Sequence, residues 1–312
     1  MRVAVTGAGG RLGRSLVAAL EDAPFAGPFG PIAWGRGTFD LDAPDGIGAI
    51  LDRDRPETVV HAAAWTDVDG AARDPALAMA RNGTATGVLA TACATRGIDL
   101  VVVSTNEVFD GRRTDGRGYS PDDEPAPLNP YGASKLAGER AAAKAYAGPS
   151  RSGALGIVRT AWLFGPPGND FPAKILAAAE RSRAAAEPLR VVADEIGSPT
   201  YTHDLAEGIV ELIGGAAVAG VHHIVNAGGA SRADWARDLL RRASALAPAA
   251  RLDVEVVDVP ASTWARASTP PAWGVLAPTP LPGGEPLRPW QMAMADYLPT
   301  LLRQRTAARA GK

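Results

Sequence analysis

The stretch V-A-V-T-G-A-G-G-R-L-G, residues 3–13, decides the fold of this chain. Residues 1–6 read as a short apolar strand, Gly7, Gly10 and Gly13 punctuate a turn, and residues 14–20 are amphipathic with a helical period. Strand, glycine turn and helix in that order make a phosphate cradle. Glycines let the turn close and let backbone amides approach a pyrophosphate, which then sits at the positive end of the helix. The position directly after the first strand supplies the structural context that an isolated glycine triplet lacks.

Outward from this motif, strand-like runs at 31–34, 58–62, 100–104 and 156–159 alternate with helical stretches such as 75–96 and 134–146. Such alternation predicts an α/β fold with a parallel sheet covered on both faces. Ligands of these sheets bind beyond the carboxyl ends of the strands. Here those ends carry Gly7, residues 62–66, 104–107 and 160–162. Residues 111–130, rich in Gly, Pro and Asp, predict a long surface loop. Beyond about residue 165 the alternation weakens, and Pro and Gly are densest between Thr269 and Pro289. The expected division is a dinucleotide-binding domain over 1–165 and a mainly substrate-binding domain over 166–302, some of whose segments return to the first. A helix over 290–302 should pack on the second domain, and 303–312 should form a frayed basic tail.

The 312 residues, 46% hydrophobic, suffice for a sizeable core. A formal net charge of -2 gives no electrostatic reason to expect nucleic acid or an anionic membrane as partner. The single cysteine, Cys93, lies in the apolar run L-A-T-A-C-A-T and reads as a buried structural thiol, which fits a reducing cytoplasm. The first strand starts at once and no apolar run reaches the roughly 18 residues of a membrane span, so a soluble protein without a targeting segment is expected. Only four histidines are present, none in metal-ligand spacing.

Chemistry is concentrated in N-P-Y-G-A-S-K-L-A-G-E, residues 129–139. Tyr131 and Lys135, four apart on a helix, share one face. An ammonium roughly 5 Å from a phenol, at an effective dielectric near 20, favours the phenolate by about 3 kcal/mol, or about two pKa units. The expectation is a phenol able to exchange protons near neutrality.

The order of motifs resembles the extended short-chain dehydrogenase/reductases, and within them the dTDP-4-dehydrorhamnose reductases. The resemblance runs through T-G-A-G-G-R-L-G, H-A-A-A-W-T-D-V-D from His61, S-T-N-E-V-F-D-G from Ser104, Y-G-A-S-K from Tyr131, R-T-A-W-L-F-G from Arg159 and D-E-I-G-S-P-T from Asp194. It implies a Rossmann-type doubly wound parallel sheet with a smaller C-terminal α/β substrate domain. It also implies hydride delivery from NAD(P)H to the C4 carbonyl of a nucleotide-linked 4-keto-6-deoxyhexose. Tyr131 would supply the proton, Lys135 would bind the nicotinamide ribose and lower the tyrosine pKa, and Thr105 would hydrogen-bond the same carbonyl oxygen. Gly7, Gly10, Arg11, Leu12 and Gly13 would hold the cofactor, with Ala62, Ala63 and Ala64 beneath it and Asp40 and Leu41 at the adenine. Where an acidic residue would favour NAD, the chain has Trp34, Gly35 and Arg36; Arg36 suits a 2′-phosphate, which favours NADPH and leaves NADH open. Thr66, Val68 and Trp162 match positions lining the sugar pocket. The partner implied is a nucleotide-sugar, and a homodimer is left open.

Two stretches depart from the pattern. Asn106 and Glu107 stand where the reductases carry S-T-D-Y-V-F-D-G, and P-P-A-W-G-V-L from Pro270 stands for R-P-x-x-S-x-L. Asn106 and Glu107 are therefore added to the substrate-contacting candidates. Nucleotide-sugar 4,6-dehydratases are similar at T-x-E, so Glu107 has an alternative as a base in a dehydratase or epimerase. Its structural alternative is a carboxylate paired with Arg112 or Arg113. A third alternative is a non-catalytic regulatory subunit, since that of methionine adenosyltransferase resembles the same family.

Overall fold

In the computed structural model, residues 1–27, 30–148 and 153–310 are described, the last three by their backbone alone. The first half supplies strands β1 (Val3–Thr6), β2 (Ile32–Trp34), β3 (Thr58–His61), β4 (Asp99–Thr105) and β5 (Leu155–Thr160). The short strands β6 (Leu163–Phe164), β7 (Leu189–Val192), β8 (Ile196–Gly197) and β9 (Thr200–Tyr201) follow, then β10 (Gly220–His223), β11 (Ala230–Ser231), β12 (Val256–Val259) and β13 (Trp273–Gly274). One six-stranded sheet runs β10-β5-β4-β3-β1-β2, every neighbouring pair parallel. Its inner strands are buried along nearly their whole length, as a sheet covered on both faces requires. The chain runs from β1 outward to β2 and then reverses to β3, so the turning point of the sheet lies between β1 and β3.

Helices α1 (Arg11–Glu21), α2 (Ile47–Asp54), α3 (Val68–Arg73), α4 (Pro75–Ala78), α5 (Ala85–Ala94) and α6 (Pro130–Tyr146) belong to the first half. Helices α7 (Phe171–Ala185), α8 (Thr202–Gly214), α9 (Arg232–Leu246) and α10 (Trp290–Ala310) belong to the second. On one face of the large sheet, Leu12, Leu16 and Leu20 of α1 meet Leu205, Ile209 and Leu212 of α8. On the other, Ile47, Leu51, Leu89, Ala142 and the fully buried Cys93 pack on Leu100 and Val102. The helix expected over 75–96 is interrupted by a π-helical segment, Met79–Thr84, between α4 and α5. Segments of this kind recur at functional sites.

A second apolar centre, with Phe164, Leu176, Trp235, Leu239 and Tyr297, joins α7, α9 and α10. Two contacts join the later residues to the first sheet: β10 pairs with β5, and Ser15 Oγ of α1 donates to Thr202 Oγ1 of α8 at 3.0 Å. The frayed tail expected over 303–312 is corrected for 303–310, where α10 continues to Ala310. No helix breaker interrupts that run, and Arg305 fixes it to α7 through the Ala173 carbonyl at 3.2 Å and Glu180 at 2.9 Å. Residues 311 and 312 lie outside the described residues. Among the described residues no helix is long and apolar enough to cross a membrane.

Candidate active site

The carboxyl ends of β1, β3, β4 and β5 open on a cleft with two compartments that share Gly7, Gly10, Ala62 and Ala64. The glycine turn forms their common floor. Gly7 has φ +65°, and a Cβ there would lie 2.8 Å from Ala63 Cα; one on Gly13 would lie 2.1 Å from the Gly7 carbonyl. Backbone therefore packs against backbone with no room for side chains, and Gly10 stands at the N-cap of α1 with no side chain capping its first amides. Uncapped amides at a helix N-terminus suit a phosphate.

The first compartment is lined by Gly35, Arg36, Asp40, Leu41, Ala62, Ala63 and Ala64 among others, so the residues expected around an adenosine do converge. Arg36 is exposed at its mouth. Arg81, which the sequence did not single out, forks Asp42 with two bonds of 2.6 Å and lies 5.3 Å over the Trp65 ring. Arg11 also lines the cleft, but its guanidinium is committed elsewhere: it donates to the carbonyls of Gly165 and Asn169 and pairs with Asp170 at 3.4 Å. It ties α1 to the loop after β6.

The second compartment collects Leu12, Thr66, Val68, Thr105, Asn106, Glu107, Tyr131, Lys135 and Trp162. Asn129 caps α6 by accepting from the Gly132 amide at 2.8 Å, and Pro130 at the first helical position sacrifices no hydrogen bond. Tyr131, Lys135 and Glu139 follow on successive turns, all buried. Beneath them Glu139 accepts from Arg159 Nη2 at 2.8 Å and from the Ser104 hydroxyl. Burial pushes the Lys135 ammonium down to about 8, with Glu139 opposing. It pushes the Tyr131 phenol above its ordinary value, with Glu107 adding and a hydrogen bond from Thr105 opposing. The lowered phenol expected from the Tyr131 and Lys135 spacing is thus corrected. Loss of hydration and the Glu107 carboxyl together outweigh the hydrogen bond from Thr105, and the same burial disfavours the charge that Lys135 would have to offer.

Glu107 is also pushed up by burial, against a hydrogen bond from Asn129 Nδ2 at 2.6 Å. It pairs with neither Arg112 nor Arg113; Arg113 is occupied by Asp123 at 3.1 Å and Asp115 at 3.4 Å. The charges that act on Glu107 come from far along the chain: Arg232, Glu195 and Arg266. Arg232 lies 3.5 Å over the Trp162 ring and 3.9 Å from Glu195, and Arg266 pairs with Glu195 at 3.0 Å. Burial lowers Arg232 to about 10. Arg232 and Arg266 were missed, for their only signal is proximity created by folding; Glu195 lies in the D-E-I-G-S-P-T stretch from Asp194 but was not singled out there.

Side chains from distant elements hold the segment after β3, where Thr6 Oγ1 accepts from the Ala63 amide at 3.1 Å. Asn82 of the π segment accepts from the Trp65 amide at 2.8 Å and donates to the Trp65 carbonyl at 3.0 Å and to Ser134 Oγ of α6 at 3.1 Å. Asp69 accepts from the amide and hydroxyl of Ser268 at 3.0 and 2.7 Å. Asn129 was legible as an Asn-Pro helix start; Asn82 was not.

Known proteins are similar to this chain in sequence and fold. The family model described as RmlD substrate binding domain matches residues 1–303. A dTDP-4-dehydrorhamnose reductase of Streptomyces griseus is 37% identical, over 99% of this chain and 95% of its own. The crystal structure of a dTDP-4-dehydrorhamnose reductase from Clostridium acetobutylicum superposes with a TM-score of 0.83 at 27% identity, covering 97% of this chain and all of that one (100%). One from Bacillus anthracis, in complex with NADP, gives 0.80 at 30% identity, covering 96% and 99%. With a Rossmann-type sheet, an uncapped glycine turn and a buried tyrosine and lysine at the positions its motifs specify, this chain belongs to the RmlD family of extended short-chain dehydrogenase/reductases.

Proposed function

We propose that this protein is an NADPH-dependent reductase of a nucleotide-linked 4-keto-6-deoxysugar, of the dTDP-4-dehydrorhamnose reductase type. The observation that carries the reading is the convergence of Thr105, Tyr131 and Lys135 in one buried compartment that adjoins the glycine turn. The cofactor supplies the hydride; the rest is the work of these side chains. Tyr131, kept protonated by burial, gives its proton to the oxygen of the reacting carbonyl. Thr105 donates a hydrogen bond to the same oxygen. Lys135, largely charged below about pH 8, holds the ribose hydroxyls and faces the phenolate that proton transfer leaves. A positioned proton donor contributes about 100- to 10,000-fold in rate.

Gly7, Gly10, Leu12, Gly13 and Ala62–Ala64 form the cofactor floor in this reading, and Arg36 takes the 2′-phosphate. Thr66, Val68, Asn106, Glu107 and Trp162 face the sugar. Arg232 and Arg266, which share Glu195 and act on Glu107, are the cations of the second lobe that a nucleotide diphosphate would meet in this reading. Residues 1–165 with 202–223 form the cofactor lobe, supported by the pairing of β10 with β5. A cytoplasmic location is supported by the buried lone thiol, and a homodimer is tested by sedimentation equilibrium.

The test supplies dTDP-4-dehydrorhamnose, or unepimerised dTDP-4-keto-6-deoxy-D-glucose, and follows oxidation of NADPH and NADH, with Tyr131→Phe as control. Oxidation of neither cofactor by the wild type sinks the reading. The raised carboxyl of Glu107 favours a second one, proton abstraction at C5. Solvent deuterium appearing at C5 without net cofactor use would select it.

A further inference from the structure

Arg81 lies outside the compartment that carries the reduction, in the wall of the first one beside Arg36, Asp40 and Asp42. Those three come from the loop after β2, and Arg81 comes from the π segment. In that loop the amides of Thr38 and Phe39 donate to the Gly35 carbonyl at 2.9 and 3.0 Å, and Asp40 accepts from the Asp42 amide at 3.1 Å. The Asp42 carboxylate is left to meet Arg81, 39 residues further on. Arg81 Nε and Nη2 each donate to one Asp42 oxygen at 2.6 Å, the two-pronged geometry that suits a guanidinium on a carboxylate. The guanidinium also lies 5.3 Å over the Trp65 ring, and Asn82 holds the Trp65 backbone through two hydrogen bonds. Arg81 is therefore a fixed cation rather than a free surface arm.

Hydrogen bonds from Arg81 hold the Asp42 carboxyl below its ordinary value, with burial opposing and the charges of Arg81 and Arg36 adding. Asp42 is thus an anion, and with its side chain 49% exposed it still presents that charge to the compartment. Because Arg36 acts on Asp42, an anion bound at Arg36 feels Asp42 too. The two cations and two carboxylates of the lining balance while Arg81 is in place. Asp40, and Asp74 at the start of α4, also act on Arg81. Without Arg81 the carboxylates exceed the cations. A 2′-phosphate carries about −1.5 to −2 charge at pH 7, whereas the 2′-hydroxyl of NADH carries none. A change of charge at this edge therefore falls on NADPH alone.

We propose that Arg81 is a specificity-determining residue for the cofactor: by neutralising Asp42 it lets a 2′-phosphate settle on Arg36, and it acts through that carboxylate rather than by touching the phosphate. The proposal rests on the part of the reductase reading that seats the 2′-phosphate at Arg36. Direct binding of NADPH and of NADH to the full chain, by titration calorimetry, tests it without any sugar. In Arg81→Ala the Kd for NADPH rises by about three- to tenfold, since about two phosphate charges each meet a partly screened carboxylate, and the Kd for NADH stays where it is. Arg81→Lys, which keeps the charge and gives up the fork, stays close to the wild type for both cofactors.

Adding Asp42→Ala to Arg81→Ala removes the carboxylate as well and returns NADPH affinity to the wild-type value, because the two changes act on one balance. Raising ionic strength from about 0.01 to 1 M shrinks the Arg81→Ala penalty, as the Debye length falls from about 30 to 3 Å. Melting temperatures confirm that the variants fold. Equal loss of NADPH and NADH would mean that the fork only braces the adenosine wall, and would overturn the proposal. So would a penalty that persists in the double variant, the mark of direct contact with the phosphate, or an unchanged ratio of the two affinities in Arg81→Ala. NADPH binding indifferent to Arg36→Ala overturns both the proposal and that seat for the phosphate. A wild type that binds NADPH yet reduces no keto-sugar nucleotide sinks the reductase reading alone.

Discussion

Replacing Glu139 by Gln removes the negative charge under the reactive face of α6 without changing its shape. Glu139 and Arg159 are 3% and 4% exposed, so the substitution leaves a buried guanidinium with a neutral partner. Breaking a buried pair in this way costs about 3–5 kcal/mol. At about 2–3 °C per kcal/mol for a chain of this size, the melting temperature should fall by roughly 6–15 °C. The functional effect runs through Lys135, one turn away. Burial has brought its ammonium from 10.5 to about 8, which corresponds to about 3 kcal/mol against the charged form, and Glu139 is the group that opposes the fall. Charges about 6 Å apart at an effective dielectric near 20 interact by about 3 kcal/mol, so losing Glu139 should lower Lys135 by a further one to two pH units. Lys135 must be charged to act, so activity declines as pH rises through about 8 in the wild type. In Glu139→Gln the same decline should come at lower pH. The assay is kcat/KM against pH at saturating NADPH, read beside calorimetric unfolding. A basic limb at its wild-type position in a variant that still folds would refute the role given to this ion pair.

Gly7→Ala forces a side chain into a left-handed backbone and against Ala63, so NADPH affinity measured by titration calorimetry should fall more than about tenfold; unchanged affinity would refute the packing argument. Arg36→Ala should raise KM for NADPH by about tenfold or more, the worth of one charge-assisted hydrogen bond, and leave KM for NADH alone. Burial pushes the Cys93 thiol up to about 12, so a thiol reagent at pH 8 should label no native protein and one thiol per chain in denaturant. Rapid native labelling would contradict the buried position.

The first lobe was legible because its signals are local. Residues 3–13 carry strand, turn and helix start in one window, and Asn129, Pro130, Tyr131 and Lys135 sit within two helical turns. The charges that surround Glu107 are not local: Arg232 opens α9 and Arg266 follows β12, and no periodicity links them to Glu107. The π segment at Asn82 was hidden for a different reason: M-A-R-N-G-T contains the poor helix formers Asn82 and Gly83, but nothing in its residue order distinguishes a π turn from a weak stretch of α-helix. The two departures noted separately at Asn106 and near Pro270 meet in the fold, where Asn106 donates to Gly274. The direction of the Tyr131 shift failed because spacing reports a neighbour's charge and says nothing of the water lost by both groups.

The pairing of β10 with β5 bears on how the chain is made. During synthesis β5 emerges with one edge uncovered, and its proper neighbour follows only after α7, β7 and α8 have been translated. Until then a row of free backbone groups is open to any extended segment nearby, the usual route to misassociation. Gly156 is what lets the native neighbour close on this strand, for a Cβ there would lie 2.4 Å from the Val218 carbonyl. A ribosome that stops at residue 165 therefore releases a nucleotide-binding half with an open edge, and the two lobes are obliged to mature together.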